Sequence, residues 1–298
     1  MQAIRSIVAA TDLSAPARHA ADRAARLAQR TGASLTLMHA ASGSALDQLR
    51  RLVGSGEEIS RTLLDDSRRR LHELAAALAA RYGLRIDDEV VVGASVDEIV
   101  RISIERNADL VVTGTRGSAF VRSHLVGSTA ERIVKRSMKP VLMVRQAAHE
   151  PYRRVLVPVD FSDWSAHSVR LARQVAPDAM LVLIHAVQTP YEGHMRYAGV
   201  REDLIAEYRD KARVEAREQL EALASELALS RSEWIGVTPD AGDAWMQIVQ
   251  QEQEQDCDLI VIGKHGRNAV EELIVGSTTH MVIVEASGDV LVSTAHAR

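Results

Sequence analysis

Two glycine-rich segments constrain this chain more than any other feature of its sequence. In the first, Gly114-Thr-Arg-Gly117 is followed by nine residues and then by Gly127-Ser128; in the second, Gly263-Lys-His-Gly266 is followed by nine residues and then by Gly276-Ser277. Each segment follows a short apolar run and precedes a stretch with helical periodicity. An apolar run bounded by glycine is typical of a buried parallel strand. Each copy therefore predicts a strand, a glycine loop and a helix, in that order.

A glycine loop that leads into a helix is typical of an anion-binding site. Glycine lets backbone N–H groups approach an anion closely, and the first turn of a helix adds free donors and the positive end of its dipole. Hydroxyl groups at the helix start can cap the helix or donate to a phosphate oxygen. The residues that supply them are Ser128, Thr129, Ser277 and Thr278. Two ordinary strand-to-helix turns are the alternative, and identical spacing in two copies argues against it.

The remainder of the chain repeats with almost the same period. Matched residues lie at nearly constant separations: 148 positions for Asp12 and Asp160, 146 for His39 and His185, and 149 for Gly114 and Gly263. Such offsets predict a tandem duplication, with domains at residues 1–147 and 152–298 of the 298-residue chain. The join between them is short and polar, so we expect the two domains to pack on each other about a pseudo-twofold axis.

Within each half the apolar pattern alternates between strands and helices. In the first half, strands are predicted at residues 4–10, 34–40, 88–92, 109–113 and 140–144, helices at 17–30, 57–81, 96–106 and 128–137, and a loop at 42–56. This alternation predicts a parallel sheet with helices on both faces. The predicted fold class is therefore α/β, with two tandem Rossmann-like domains that each contain a five-stranded parallel sheet. Ligands of such sheets bind outside the carboxyl ends of the strands.

Composition narrows the class of protein and of partner. The net charge is −4 with acids and bases interspersed, so no nucleic-acid partner and no anionic membrane surface is predicted. No apolar stretch reaches membrane-spanning length. Cys257 is the one cysteine, which excludes an internal disulfide and favours a reducing compartment; we interpret it as a small core residue. Without a signal-like N-terminal segment, the predicted location is cytoplasmic.

These features together resemble the universal stress protein family. The shared features are the glycine spacing, an aspartate after the first strand, a His-Ala pair after the second strand, and the closing segment Pro140-Val-Leu-Met-Val144. Both halves match, as in the tandem form of the family. The resemblance implies adenine nucleotide α-hydrolase-like domains paired through their last strands, with a homodimer as a further expectation. It also implies binding of ATP, ADP or AMP, with Mg²⁺ as an optional companion, and a role in stress response with weak ATPase activity at most.

The resemblance also implies which residues line each nucleotide site. In the first half, the residues at adenine or ribose are Ala10, Thr11, Asp12 and Ala40, and those at ribose and phosphates are Gly114, Gly117, Gly127, Ser128 and Thr129. In the second half, the matching residues are Val159, Asp160, Ala186, Gly263, Gly266, Gly276, Ser277 and Thr278. A purely capping role is the alternative for each aspartate. The second half departs from the family pattern where Asp289 replaces Pro140. If only one half binds, the first is therefore expected to do so.

No set of residues in the sequence has the spacing of a catalytic or metal centre. The Walker loop and the Gly-x-Gly-x-x-Gly motif are absent, and His39 and His185 are interpreted as hydrogen-bonded structural residues. Three functions stay open. The first is a nucleotide-binding stress module, and the second is an enzyme that cleaves or transfers adenylate. The third is an interaction protein with one or both sites unused, whose long helices at 57–81 and 201–227 bind a partner.

Overall fold

The computed structural model describes residues 3–52, 56–115, 128–239, 242–265 and 275–294. The strands are β1 Ser6–Ala10, β2 Ser34–Ser42, β3 Ile86–Gly93, β4 Leu110–Gly114, β5 Val141–Val144, β6 Arg154–Pro158, β7 Met180–Ile184, β8 Trp234–Val237, β9 Leu259–Gly263 and β10 Asp289–Ser293. The helices are α1 Ala15–Thr31, α2 Gly43–Leu52, α3 Gly56–Tyr82, α4 Ser95–Glu105, α5 Ser128–Arg136, α6 Asp163–Val175, α7 Glu192–Tyr197, α8 Glu202–Glu226, α9 Ala244–Glu254 and α10 Ser277–Glu285. Chain contacts divide the described residues into two compact units.

The first unit comprises the described parts of 1–151 and 289–296. Its strands lie in the order β3-β2-β1-β4-β5-β10. The first five are parallel, whereas β10 is antiparallel to β5, with Leu291 opposite Leu142. Helices α1 and α3 pack on each other and on the sheet, and so do α4 and α5. Right-handed crossovers in this strand order place the two helix pairs on opposite faces, so the predicted α/β class is confirmed.

The second unit comprises the described part of 152–288. Its four strands are parallel and lie in the order β9-β6-β7-β8. The second half thus has the predicted α/β architecture, a mostly parallel sheet with helices. The fifth strand of the second half, β10, groups with the first unit and runs antiparallel to its neighbour there. The predicted domain boundaries stay a prediction.

The carboxylate of Asp289 explains in physical terms how β10 is held beside β5. This residue is 1% exposed, and its Oδ1 accepts hydrogen bonds from the backbone N–H groups of Arg145 at 2.8 Å and Gln146 at 3.2 Å. Its Oδ2 lies 3.4 Å from Nε of Arg23, which is also buried. A buried carboxylate is tolerated only when charges and donors compensate it. Asp289, which stands where Pro140 stands in the first half, therefore makes specific contacts with the segment immediately after β5.

The segment predicted as a loop after β2 contains the helix α2. Ser42 precedes it, and its Oγ accepts a hydrogen bond from Ala45 N at 3.3 Å. Leu46 is buried beneath the helix. The serine and glycine residues that suggested a loop are thus the start of a helix, where serine is favoured because its side chain satisfies a free N–H group.

The duplication is visible in the backbone as well as in the sequence. Matched residues of the two units adopt positive φ angles: Leu13 at 62° and Phe161 at 60°, Asn107 at 46° and Asp256 at 49°, and Gly83 at 66° and Ala228 at 51°. Matched aspartates also accept backbone hydrogen bonds at the start of the first strand: Asp109 from Arg5 and Ser6, and Asp258 from Arg153 and Arg154. The two halves therefore share their turns as well as their strand order.

Two further sequence expectations concern Cys257 and the membrane. Cys257 is buried, as the sequence interpretation holds, and burial raises the pKa of its thiol to about 12. The thiol therefore stays protonated at neutral pH.

Among the described helices, none is both long enough and apolar enough to cross a membrane.

Candidate functional site

A cavity of about 1080 Å³ opens at the carboxyl ends of β6, β7 and β9 in the second unit. Seven of the eight residues implied for this half line it: Val159, Asp160, Ala186, Gly263, Gly276, Ser277 and Thr278. The eighth, Gly266, lies outside the described residues. Small-molecule sites typically occupy about 300–1,000 Å³, so this cavity has room for a mononucleotide.

Asp160 lies on the wall of this cavity and also holds the start of α6. Its Oδ1 accepts hydrogen bonds from Ser162 N at 3.1 Å, Ser162 Oγ at 2.5 Å and Ser165 Oγ at 2.7 Å. These bonds tie the aspartate to the turn before α6 and to Ser165, whereas the N-cap residue Ser162 makes no side-chain cap bond. The same residue lines the cavity, so its structural bonds are compatible with a contact to a ligand.

His185 forms part of the wall beside the end of β7. Its Nδ1 lies 2.7 Å from the carbonyl oxygen of Val159, and its ring lies 4.4 Å from the ring of Phe161. Because a carbonyl only accepts, Nδ1 carries the proton in this contact. The matched His39 makes the same contact with the Thr11 carbonyl at 2.9 Å. Both histidines are therefore hydrogen-bonded structural residues, as the sequence interpretation proposed.

The end of β9 and the start of α10 form the opposite side of the cavity. A Cβ atom on Gly263 would lie 3.0 Å from the carbonyl oxygen of His265, so glycine allows the close approach seen here. Thr279 Oγ1 donates to the Gly263 carbonyl at 2.8 Å, and Gly276 N donates to the Lys264 carbonyl at 3.0 Å. These bonds fix the first turn of α10 against the strand end.

The start of α10 has the chemistry of an anion site. Its N-cap residue is Gly276, which has no side chain to cap the first amides of the helix. Those amides and the positive end of the helix dipole favour negative charge. Since Gly276, Ser277 and Thr278 line the cavity, an anionic group in the cavity can reach them.

Several residues of the cavity wall were missed by the sequence interpretation. They come from α6, the segment after β7, α8 and α9, and include Ser165, Ser168, Gln188, Glu215, Gln219 and Ile248. On α8, Gln219 Nε2 donates to Glu215 Oε1 at 3.2 Å. No motif marks these positions, because their place at the cavity depends on how the helices pack. A comparison of the two halves finds one signal, since Ser165 and Ser168 replace Ala17 and Ala20 of the first half.

The site residues predicted for the first half lie at the corresponding strand and helix ends of the first unit, as far as the structure describes them. Ala10 ends β1, Gly114 ends β4, and Ser128 and Thr129 begin α5 with exposed side chains. Thr11 is buried and accepts from Leu13 N at 3.0 Å, whereas Asp12 is exposed and accepts from Ser14 N at 3.0 Å. Gly117 and Gly127 lie outside the described residues.

The two units differ at the predicted base end of the site. In the first unit, β2 continues through Ala40 to Ser42, and Ala40 is in register with Val91 of β3. In the second unit, β7 already ends at Ile184, and the matching Ala186 lies beyond it on the cavity wall. Ala186 therefore lies outside the strand, whereas Ala40 is paired within it.

Comparison with known proteins gives a consistent result over the whole chain. The model of the "Universal stress protein family" matches residues 3–145 and 151–294. A universal stress protein of Methanocaldococcus jannaschii is 35% identical over 97 residues, which are 33% of this chain and 56% of that protein. The chain thus spans about half the length of this relative.

Solved structures with the same fold include a universal stress protein of Archaeoglobus fulgidus. It is 20% identical, covers 97% of this chain and 95% of its own, and gives a TM-score of 0.69. A universal stress protein solved in complex with cAMP is 27% identical, over 49% of this chain and 100% of its own, with a TM-score of 0.37.

Proposed function

Because the chain belongs to the universal stress protein family, we propose that the cavity of its second unit binds an adenine nucleotide. We further propose that the protein acts as a stress-response or regulatory module that responds to this nucleotide. The observation that carries the proposal is the cavity at the ends of β6, β7 and β9, lined by seven residues that the family resemblance implies. Strand ends of this kind are where ligands of parallel sheets bind.

The arrangement of the wall supports one orientation of the nucleotide. The base lies beside Ala186 and Asp160, where the polypeptide has left the β7 ladder. The phosphates lie at the first turn of α10, where Gly276 leaves the helix amides uncapped by a side chain. Gly263 lies between these two ends, and its lack of a side chain permits close approach of the ribose.

ATP, ADP and AMP share the adenosine that this orientation recognises and differ in the length of the phosphate chain. The volume of about 1080 Å³ accommodates any of them. Among the described residues, no three His, Cys, Asp or Glu side chains group to hold a metal ion. In this proposal Mg²⁺ enters with the phosphates as their counter-ion. The matched residues of the first unit are proposed as a second site of the same class.

The test uses the fact that all three tryptophans lie in the second unit, at positions 164, 234 and 245. Trp164 lines the cavity, so nucleotide binding there is expected to change the intrinsic fluorescence. Titration with ATP, ADP and AMP should give saturable changes, and mass spectrometry of denatured purified protein should detect a released adenine nucleotide. No saturable change with any of the three nucleotides, together with no released nucleotide, would refute the proposal. Multiple turnover of ATP faster than about one per second would instead favour the enzymatic alternative.

A further inference from the structure

A buried serine on the wall of the cavity has no hydrogen-bond partner among the residues that the structure describes. Ser168 is 1% exposed, and no described residue hydrogen-bonds its Oγ. Burying a hydroxyl group without a hydrogen bond costs free energy, and buried hydroxyls in folded proteins nearly always have a partner. Because Ser168 lines the cavity, a molecule bound there can supply the missing bond.

Ser168 lies next to the part of the cavity where we propose that the middle of the nucleotide binds. Its Oγ lies 3.9 Å from where a Cβ atom of Gly263 would be, and Cβ of Trp164 lies 4.0 Å from the same point. The hydroxyl therefore faces the space above the end of β9. This space lies between the base end, at Asp160, and the phosphate end, at the start of α10.

The first unit has no equivalent of this hydroxyl group. The residue 148 positions earlier is Ala20, which is fully buried against the sheet. An alanine therefore meets the packing requirement at this place in the fold. The neighbouring Ser165, which replaces Ala17, differs from Ser168 because its hydroxyl is bonded to Asp160 at 2.7 Å. The bonds to Asp160 thus account for Ser165 and leave Ser168 unexplained.

We propose that Ser168 is a ligand-binding residue of the second unit, whose hydroxyl hydrogen-bonds an oxygen of the ribose–phosphate part of the nucleotide. This inference rests on the proposed function of the cavity. It gives the second site a contact that the first site lacks, so the two sites of one chain differ in affinity. The difference favours the second unit, which is opposite to the sequence expectation that the first half binds preferentially.

The experiment compares wild-type protein with Ser168→Ala in tryptophan fluorescence titrations with AMP and adenosine. Ser168→Ala is expected to weaken AMP binding about five- to tenfold, the effect of one hydrogen bond to a ligand oxygen. An equal loss with adenosine identifies a ribose oxygen as the partner, and a loss with AMP alone identifies a phosphate oxygen. The matched control is Ser103→Ala, because Ser103 is equally buried but its Oγ donates to the Val100 carbonyl at 2.7 Å in the first unit.

The melting temperature of the ligand-free protein separates a binding role from a structural one. Removing a hydroxyl that has no partner should leave the melting temperature of Ser168→Ala unchanged or raise it. The proposal is overturned if AMP and adenosine affinities both stay within about twofold of wild type, or if a lost affinity is accompanied by a lower melting temperature. If wild-type protein binds none of the adenine compounds, the proposed function itself fails, which is a distinct result.

Discussion

The substitution Gly276→Asp tests the phosphate end of the proposed site with little risk to the fold. Gly276 has φ −58° and ψ 148°, which any residue adopts. A Cβ atom there would meet Lys264 O at 3.7 Å and Thr279 Oγ1 at 3.8 Å, both ordinary contact distances. Aspartate is also a favourable N-cap that complements the helix dipole, so the free energy of unfolding should rise by a few tenths of a kcal/mol or stay unchanged.

The same carboxylate places negative charge where we propose that phosphate binds. Two unit charges about 4 Å apart repel by about 1 kcal/mol in water and about 4 kcal/mol near a protein surface of low effective dielectric constant. Gly276 is half-buried, so we expect an intermediate repulsion of about 2 kcal/mol. This corresponds to AMP binding that is about 30-fold weaker.

The matched control is Gly276→Asn, which has nearly the same shape and capping ability but no charge. It should weaken AMP binding by about threefold at most, so the two variants should differ by about tenfold, and the difference should shrink as salt is added. Adenosine, which has no phosphate, should bind both variants alike. Equal losses of AMP affinity in the two variants, or a loss of adenosine affinity as large as that of AMP, would refute this assignment.

Three further predictions concern stability. Ala228 follows α8 with φ 51°, and the matched residue Gly83 has φ 66°. Only glycine adopts such an angle without steric strain from a Cβ atom. In urea unfolding, Ala228→Gly should therefore be more stable by about 0.5 kcal/mol and Gly83→Ala less stable by about 1 kcal/mol. Glu252 is 1% exposed, and its two carboxylate oxygens accept backbone hydrogen bonds from Ser287 at 3.0 Å and Gly288 at 2.6 Å. Glu252→Gln keeps only one of these acceptor oxygens, so it should lower the free energy of unfolding by about 2 kcal/mol. Burial lowers the pKa of His167 below its ordinary value near 6.5, and the positive charge of Arg170 is a second cause. The unfolded chain therefore binds the proton first, so the free energy of unfolding should fall as the pH drops below about 6.5. Urea unfolding at a series of pH values measures this fall, and His167→Gln should make it less steep.

Each of these stability predictions has a result that contradicts it. If Ala228→Gly and Gly83→Ala change stability in the same direction, backbone strain is not what distinguishes the two helix ends. The control for Glu252 is Glu226→Gln on the exposed end of α8, which should change stability by less than about 0.5 kcal/mol; equal effects would remove the special role of the buried carboxylate. An unaltered slope in His167→Gln would assign the acid destabilisation to other groups.

The sequence predicts the local structure of this protein well because its signals are local. Apolar runs bounded by glycine become β4 and β9, and the residues that follow Gly127 and Gly276 become α5 and α10. The seven predicted residues around the second cavity come from strand ends and one helix start, which parallel topology brings together. The spacing of the glycines indicates the loop and helix-start residues, and the family resemblance implies the others.

What the sequence does not predict depends on contacts between distant segments. The apolar pattern of β10 identifies a strand, but its pairing with β5 is expected only from the family resemblance, because no local pattern indicates it. The buried contacts of Asp289 involve residues more than 140 positions away, so no local pattern reveals them. Ser168 is similar, since its importance appears only when α6 packs on β9 and leaves a hydroxyl at the cavity.

The place of β10 has a consequence for how this polypeptide is made. Its neighbour β5 ends at Val144, whereas Asp289 leaves the ribosome 145 residues later. Throughout that interval the nascent first unit presents an unpaired strand edge, which can template association with another chain. Completing this sheet is therefore a late step in synthesis, and exchange of the final strand between two nascent copies is the assembly error to which this topology is most exposed.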